Sequence, residues 1–93
     1  MIQSFGDDRT RKIFNGISDR EVNRFPQNPT RRKLDMIEFA EVLEDLMVPP
    51  GNRLERLKGS MEGLYSIRIN DQWRITFEWH NDGAHKVQIL DYH

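Results

Sequence analysis

Between Met47 and Arg53 the hydrophobic repeat of this chain changes from helical to alternating, across Pro49-Pro50-Gly51. Upstream, Met36, Phe39, Ala40, Leu43, Leu46 and Met47 recur at about 3.6 residues, and Leu34 and Ile37 widen the stripe. Asn28 stands before Pro29, a good first-turn residue, so one helix is predicted over 29–47. Proline lacks an amide proton and the Pro-Pro-Gly run stops that helix. Downstream the period is two. Tyr65, Ile67 and Ile69 alternate with Ser66, Arg68 and Asn70; Trp73, Ile75, Phe77 and Trp79 alternate with Arg74, Thr76 and Glu78; Val87 and Ile89 alternate with Lys86, Gln88 and Leu90. Asn70-Asp71-Gln72 and Asn81-Asp82-Gly83 read as the intervening turns. A helical half followed by an alternating half specifies an α+β fold, with helices packed on one face of a small antiparallel meander.

The first quarter adds smaller elements. Ile2 to Phe5 reads as a short edge strand. Asp7 or Asp8 caps a first helix through Ile13 and Phe14, ending near Asn15-Gly16. Val22 and Phe25 mark a short helical turn that Pro26 ends. The 93 residues make one small domain, 1–93, with no internal repeat and no linker.

Composition excludes several classes. No apolar run approaches the roughly 20 residues needed to cross a bilayer, and the first residues lack a basic region followed by an apolar stretch. The chain has no cysteine, so disulfides and thiolate metal sites are ruled out and a reducing cytoplasm is the expected compartment. Net charge is −1, but acids crowd Glu38, Glu41, Glu44 and Asp45, whereas cations fall at 9–12, at 31–33 and on the strands. Local basic patches in a near-neutral chain suggest a specific docking surface rather than general phosphate binding.

Strand register brings some of these cations together. Ile69 and Trp73 both belong to the core face, so they oppose each other across a three-residue turn, which sets Arg68 opposite Arg74 on the open face. Like charges directly opposed cost roughly 0.2–1 kcal/mol. An anion held between two guanidiniums removes that cost, and phosphate fits the fork geometry of arginine. If Phe77 pairs with Ile89 and Trp79 with Val87, Tyr92 falls opposite Arg74 and His93 opposite Trp73. Single exposed arginines need no functional explanation; two beside a terminal imidazole do.

Arg53-Leu54-Glu55-Arg56-Leu57-Lys58-Gly59, the run from Tyr65 to Ile75 containing Arg68, Asn70, Asp71, Gln72 and Arg74, and the closing Asp91-Tyr92-His93 resemble the HigB toxins, or killer proteins, of the RelE/ParE superfamily. Pro49-Pro50-Gly51-Asn52-Arg53-Leu54 is similar to the same family's loop, and Arg32-Lys33-Leu34-Asp35 to the start of its long helix. The resemblance implies the RelE-like microbial ribonuclease fold, two helices on a sheet of about four antiparallel strands. It implies one half of a type II toxin–antitoxin pair: a toxin that enters the ribosomal A site and cuts mRNA, with a HigA-like helix-turn-helix antitoxin that also represses the operon, so that operator DNA is reached only through the antitoxin. Carried over by position, the functional residues are Lys58, Arg74 and His93, with Asp91 and Tyr92 adjacent and Arg68 beside them. In some relatives an arginine stands two positions later, where this chain has Asn70. Arg56 joins Asn70, Asp91 and Tyr92 in the expected RNA-facing set.

RNA cleavage without a metal uses the 2′-hydroxyl as nucleophile. It needs a base, an acid and cations at the phosphoryl oxygens. His93 fits base or acid, since an ordinary imidazole pKa near ~6.5 serves both states. Arg74 and Arg68 stabilise phosphoryl charge. Lys58 is a second phosphate ligand, or a base where neighbouring arginines depress its pKa. Tyr92 stacks on a base or donates to phosphate, and Asp91 orients His93. Asp91 and His93 have no third partner at metal-ligand spacing, so neither a metal nor a cofactor is expected. Trp73 and Trp79 follow the buried alternation and belong to the core, and His80 and His85 flank a turn as solvated residues. Two other readings stay open: a ParE-like gyrase inhibitor that binds without nuclease chemistry, and a non-catalytic interaction module of the same fold.

Overall fold

The computed structural model describes residues 1–91. Over these residues the fold is α+β, with two helices against a four-stranded antiparallel sheet. Helix α1 (Asp8–Phe14) starts where the Asp7 carboxylate accepts the Thr10 amide at 2.9 Å, carries Asp8 in its first turn and Arg11 and Lys12 in its last, and ends at Asn15 before Gly16 at φ 73°. A short helical turn, Val22–Arg24, leads to Phe25 and Pro26. Both agree with the sequence.

Helix α2 (Gln27–Phe39) is shorter than its periodicity predicts. The chain leaves the helix at Ala40 and re-enters only a 3-10 turn over Leu43–Met47. The Asp45 carboxylate accepts the amides of Glu41 (2.9 Å) and Val42 (3.3 Å), giving the backbone a local alternative to the helical ladder. The break rotates the stripe. Ala40 and Leu46 stay buried, whereas Phe39 and Met47, predicted in the core, are exposed.

The sheet is a meander, β1 (Glu55–Arg56), β2 (Tyr65–Arg68), β3 (Trp73–His80) and β4 (Gly83–Asp91), in chain order. The two-residue β1 is too short to show in the alternation. Ile67, Ile75, Phe77, Val87 and Ile89 face Ile13, Leu34, Ile37 and Leu46 in one core. The outer edge of β4 is covered. Met1, Gln3, Ser4 and Gly6 run parallel to it through backbone hydrogen bonds to Ala84 and Val87, which is the N-terminal edge strand in rudimentary form. Further along, the Ile89 amide donates to Thr10 Oγ1 of α1 at 3.0 Å. An edge closed this way offers no row of free amides. Gly83 is required there: its φ is 125°, and a Cβ would stand 2.0 Å from the Met1 carbonyl oxygen.

The β2–β3 register is the expected one, with Ile67 opposite Ile75 and Arg68 opposite Arg74. The β3–β4 register is not. Ile75, rather than Phe77, pairs with Ile89; Arg74 pairs with Leu90 and Trp73 with Asp91. Alternation fixes which face a residue takes but not a slip of two, and a bulge between Thr76 and Glu78, where Lys86 takes φ 53°, shifts the far half of the hairpin again. The expected pairings of Tyr92 with Arg74 and His93 with Trp73 are therefore displaced. Tyr92 and His93 themselves lie outside the described residues. No helix among the described residues is long and apolar enough to cross a membrane.

Candidate functional site

Arg68 and Arg74 share the sheet face turned away from the helices, at the end where the β2–β3 turn closes. That face is less open than alternation implies. Arg74 is only 5% exposed, and Ser66 and Thr76 on the same face are buried. Arg74 donates from Nε to Ser66 Oγ (2.9 Å) and from a terminal nitrogen to the Arg53 carbonyl (2.7 Å), with Glu55 Oε2 at 3.9 Å. Burying a guanidinium is costly unless its donors are met and a counter-charge is near, and both conditions hold. Folding therefore does ask for this arginine, contrary to the expectation that only an anion would justify the opposed pair. Arg68 is half-buried and its guanidinium pairs with the exposed Asp71 carboxylate. The like-charge opposition is relieved by a separate partner for each member.

The connection that supports Arg74 also holds, through Asn52, a cation of α2 that the sequence did not single out. Arg53 lies at φ 46° after Pro50–Asn52, which turns its carbonyl toward Arg74. Asn52 is fully buried, donates to the Leu46 carbonyl at 3.2 Å, and accepts from Lys33 Nζ of α2. Burial lowers the Lys33 pKa, and the positive charges of Arg32 and Arg68 lower it further. Lys33 thus stands within electrostatic reach of Arg68. In the sequence it reads only as part of a helix start, because its proximity to Arg68 is created by tertiary packing.

The remaining expected residues divide into two places. Arg56 and Lys58 line a shallow depression with Leu57, Gly59 and Glu62. Arg56 pairs with Tyr65, and three residues of strand, roughly 10 Å, separate Tyr65 from Arg68. Paired residues share a face, so Arg56 also projects from the side opposite Arg68 and Arg74. Asp91 instead comes to the arginine end of the sheet, but it pairs with Trp73 and so takes the face opposite Arg74; it accepts from the Gln72 side chain at 3.3 Å. Asn70 closes the turn there: its Oδ1 accepts the amides of Gln72 and Trp73, both at 2.9 Å. His93 and Tyr92 fall outside the described residues.

Two further features differ from a bland surface. His80 contacts Glu78 at 3.0 Å, His85 contacts Asp82 at 2.7 Å, and the two imidazoles meet edge to face at 4.7 Å. These histidines are partnered rather than merely solvated. On the helix side, Trp73 packs against Phe25 with ring centroids 4.8 Å apart, and Arg9 lies over Phe25 at 5.0 Å. Among the described residues no three His, Asp or Glu side chains gather as a metal site.

Comparisons with known proteins agree with this fold. A family model described as the RelE-like toxin of the type II toxin-antitoxin system HigB matches residues 3–93. The chain is 43% identical to Toxin HigB-1 of Vibrio cholerae serotype O1 over 72% of this chain and 70% of the relative. It is 31% identical to Endoribonuclease HigB of Proteus vulgaris over the full length of both. An uncharacterized protein of Haemophilus influenzae is 42% identical over 62% of the chain and 57% of its own length. With the match covering all but the first two residues, the chain belongs to the HigB-like family of RelE-like toxins of type II toxin–antitoxin systems.

Proposed function

We propose that this toxin is a ribosome-dependent endoribonuclease that cuts mRNA in the A site and is neutralised by a HigA-like antitoxin. The observation that carries the reading is the end-to-end similarity to a protein named as an endoribonuclease. The geometry of the arginine end adds chemical support. Arg74 is a cation whose direction is fixed by Ser66 and the Arg53 carbonyl, so it needs no reorganisation when charge builds nearby. Arg68 is held by a surface ion pair, a kind worth about 0–1 kcal/mol, so a phosphate can replace Asp71 at little cost. Lys33 of α2 adds positive potential near Arg68.

In this mechanism the 2′-hydroxyl attacks the adjacent phosphorus, its proton passes to a base, and the 5′-oxygen leaves with a proton from an acid. His93 fills one of these two roles. Asp91, two residues before it in the chain, orients it. Arg68 and Arg74 stabilise the phosphoryl oxygens. Lys58 and Arg56, which line a separate depression, hold RNA away from the scissile linkage, and Tyr92 stacks on a base. A net charge of −1 gives the free protein little general attraction for RNA, which accords with a need for the ribosome to present the message.

The test is induction of the wild type, His93→Ala and Arg68→Ala with mapping of mRNA ends and of DNA supercoiling. Growth arrest with cleavage inside translated codons, lost in His93→Ala by about 10²–10⁴-fold in rate, is the expected result. Full toxicity of His93→Ala removes the acid–base role. Supercoiling failure with intact mRNA replaces the nuclease by a gyrase inhibitor, and efficient cutting of purified RNA without ribosomes removes the ribosome dependence.

A further inference from the structure

Six large apolar side chains are exposed among the described residues, and four of them, Phe39, Val42, Met47 and Val48, fall within residues 39–48. Phe39 is 79% and Val48 73% exposed. The segment is held in place. Asp45 ties Glu41 and Val42, the Val48 amide returns to the Asp45 carbonyl, and buried Asn52 donates to the carbonyls of Leu46 and Val48. An apolar cluster on a fixed backbone is the usual mark of a protein-docking surface.

Charge selects the occupant. From Asp35 to Asn52 the chain has no Lys or Arg and carries Asp35, Glu38, Glu41, Glu44 and Asp45. Glu41, Glu44 and Asp45 are exposed and interleave in the chain with the exposed apolar residues 39–48. Such a rim repels RNA, and in a symmetric pair of identical chains it would set acid against acid. It attracts a cationic segment with one apolar face.

We propose that the corner formed by residues 39–48 is the docking surface for a basic amphipathic segment of the antitoxin. The inference rests on the reading of the chain as the toxin of a pair and assigns the face its partner takes. The surface lies one short loop from the arginine end, because Asn52 braces the corner and the next residue, Arg53, holds Arg74 through its carbonyl.

The experiment measures binding of the purified toxin to the purified antitoxin of its pair. Phe39→Ser combined with Val48→Ser should raise Kd by about ten-fold or more while leaving the thermal midpoint unchanged. Glu41→Lys with Glu44→Lys should raise Kd and flatten its salt dependence. Both variants, induced alone, should stay as toxic as wild type but escape rescue by the co-expressed antitoxin. Should the first pair disturb folding, Val42→Lys with Met47→Lys tests the same surface. Unchanged antitoxin affinity in these variants overturns the proposal. So does loss of wild-type self-association in sedimentation with antitoxin affinity intact, which assigns the face to a second copy. If the wild type cleaves no mRNA, the nuclease reading fails while the Kd comparison still decides this one.

Discussion

The β2–β3–β4 sheet and the connection from Ala40 to Leu64 are built on different principles. The sheet repeats one rule: alternate residues enter the core, and Ile67, Ile75, Phe77 and Ile89 are almost completely buried. The connection is a chain of local solutions: a carboxylate capping two amides, a buried asparagine bracing two carbonyls, an arginine at positive φ and a two-residue strand. The sheet supplies stability. The connection supplies Arg53 to position Arg74, Arg56 and Lys58 to face solvent, and an exposed apolar corner. Regular structure fixes the frame, and irregular structure aims the groups that meet partners.

The comparison is sharpest between two phenylalanines. Phe77 is fully buried in the sheet and Phe39 is mostly exposed where α2 ends. Phe77→Ala should cost about 3–5 kcal/mol of unfolding free energy in denaturant titration. Phe39→Ser should stay within about 0.5 kcal/mol of wild type. Equal losses would mean that the 39–48 corner packs in solution and is no free surface.

The two opposed arginines give the next largest contrast. Arg74→Ala leaves Ser66 and the Arg53 carbonyl without their donor and should cost about 2–4 kcal/mol. Arg68→Ala removes only an ion pair with exposed Asp71 and should cost about 1 kcal/mol or less, while lowering RNA cleavage. An Arg68 variant with full cleavage would confine this end of the sheet to a structural role. Between these two in size stands Asn52→Ala, at about 1–3 kcal/mol, since it frees two carbonyls and the Lys33 amine.

These contrasts follow what could be read from the amino-acid order. Arg68 opposite Arg74 was legible because Ile69 and Trp73 both needed the core and the Asn70 turn is short. The burial of Arg74 was not, because its cover comes from β1 and Arg53, segments too short and irregular to leave a periodic trace. The end of α2 was misplaced because the apolar stripe resumes at Leu43 and Leu46 after a break that only the Asp45 hydrogen bonds reveal. The β3–β4 register slipped by two because both registers keep Phe77 and Ile89 on one face, and a bulge at Lys86 has no signature in a lysine. Of the candidate site, Arg56 and Lys58 were named without their separation from Arg68, and Lys33 was read only as part of a helix start.

The smallest expected effect lies outside both regions, at the surface pair that ties α1 to the loop after it. Lys12 Nζ meets Asp19 Oδ2 at 2.8 Å. That hydrogen bond, followed by the Val22 amide, holds the Asp19 carboxyl below its ordinary range. The same bond to Asp19, reinforced by charge, raises the Lys12 amine above its own. The two shifts give stability of opposite pH sense. The Asp19 contribution is complete above the unfolded carboxyl value of 3.8 and is lost as pH falls through its lowered folded value. The Lys12 contribution is complete below the unfolded amine value of 10.5 and is lost as pH rises through its raised folded value. Lys12→Met should therefore move the Asp19 carboxyl shift, followed by NMR titration, upward toward 3.8, with part of the lowering retained through the Val22 amide. A midpoint unmoved by the substitution would mean that the backbone amide alone sets the carboxyl, and that the ion pair drawn between helix and loop does not persist in solution.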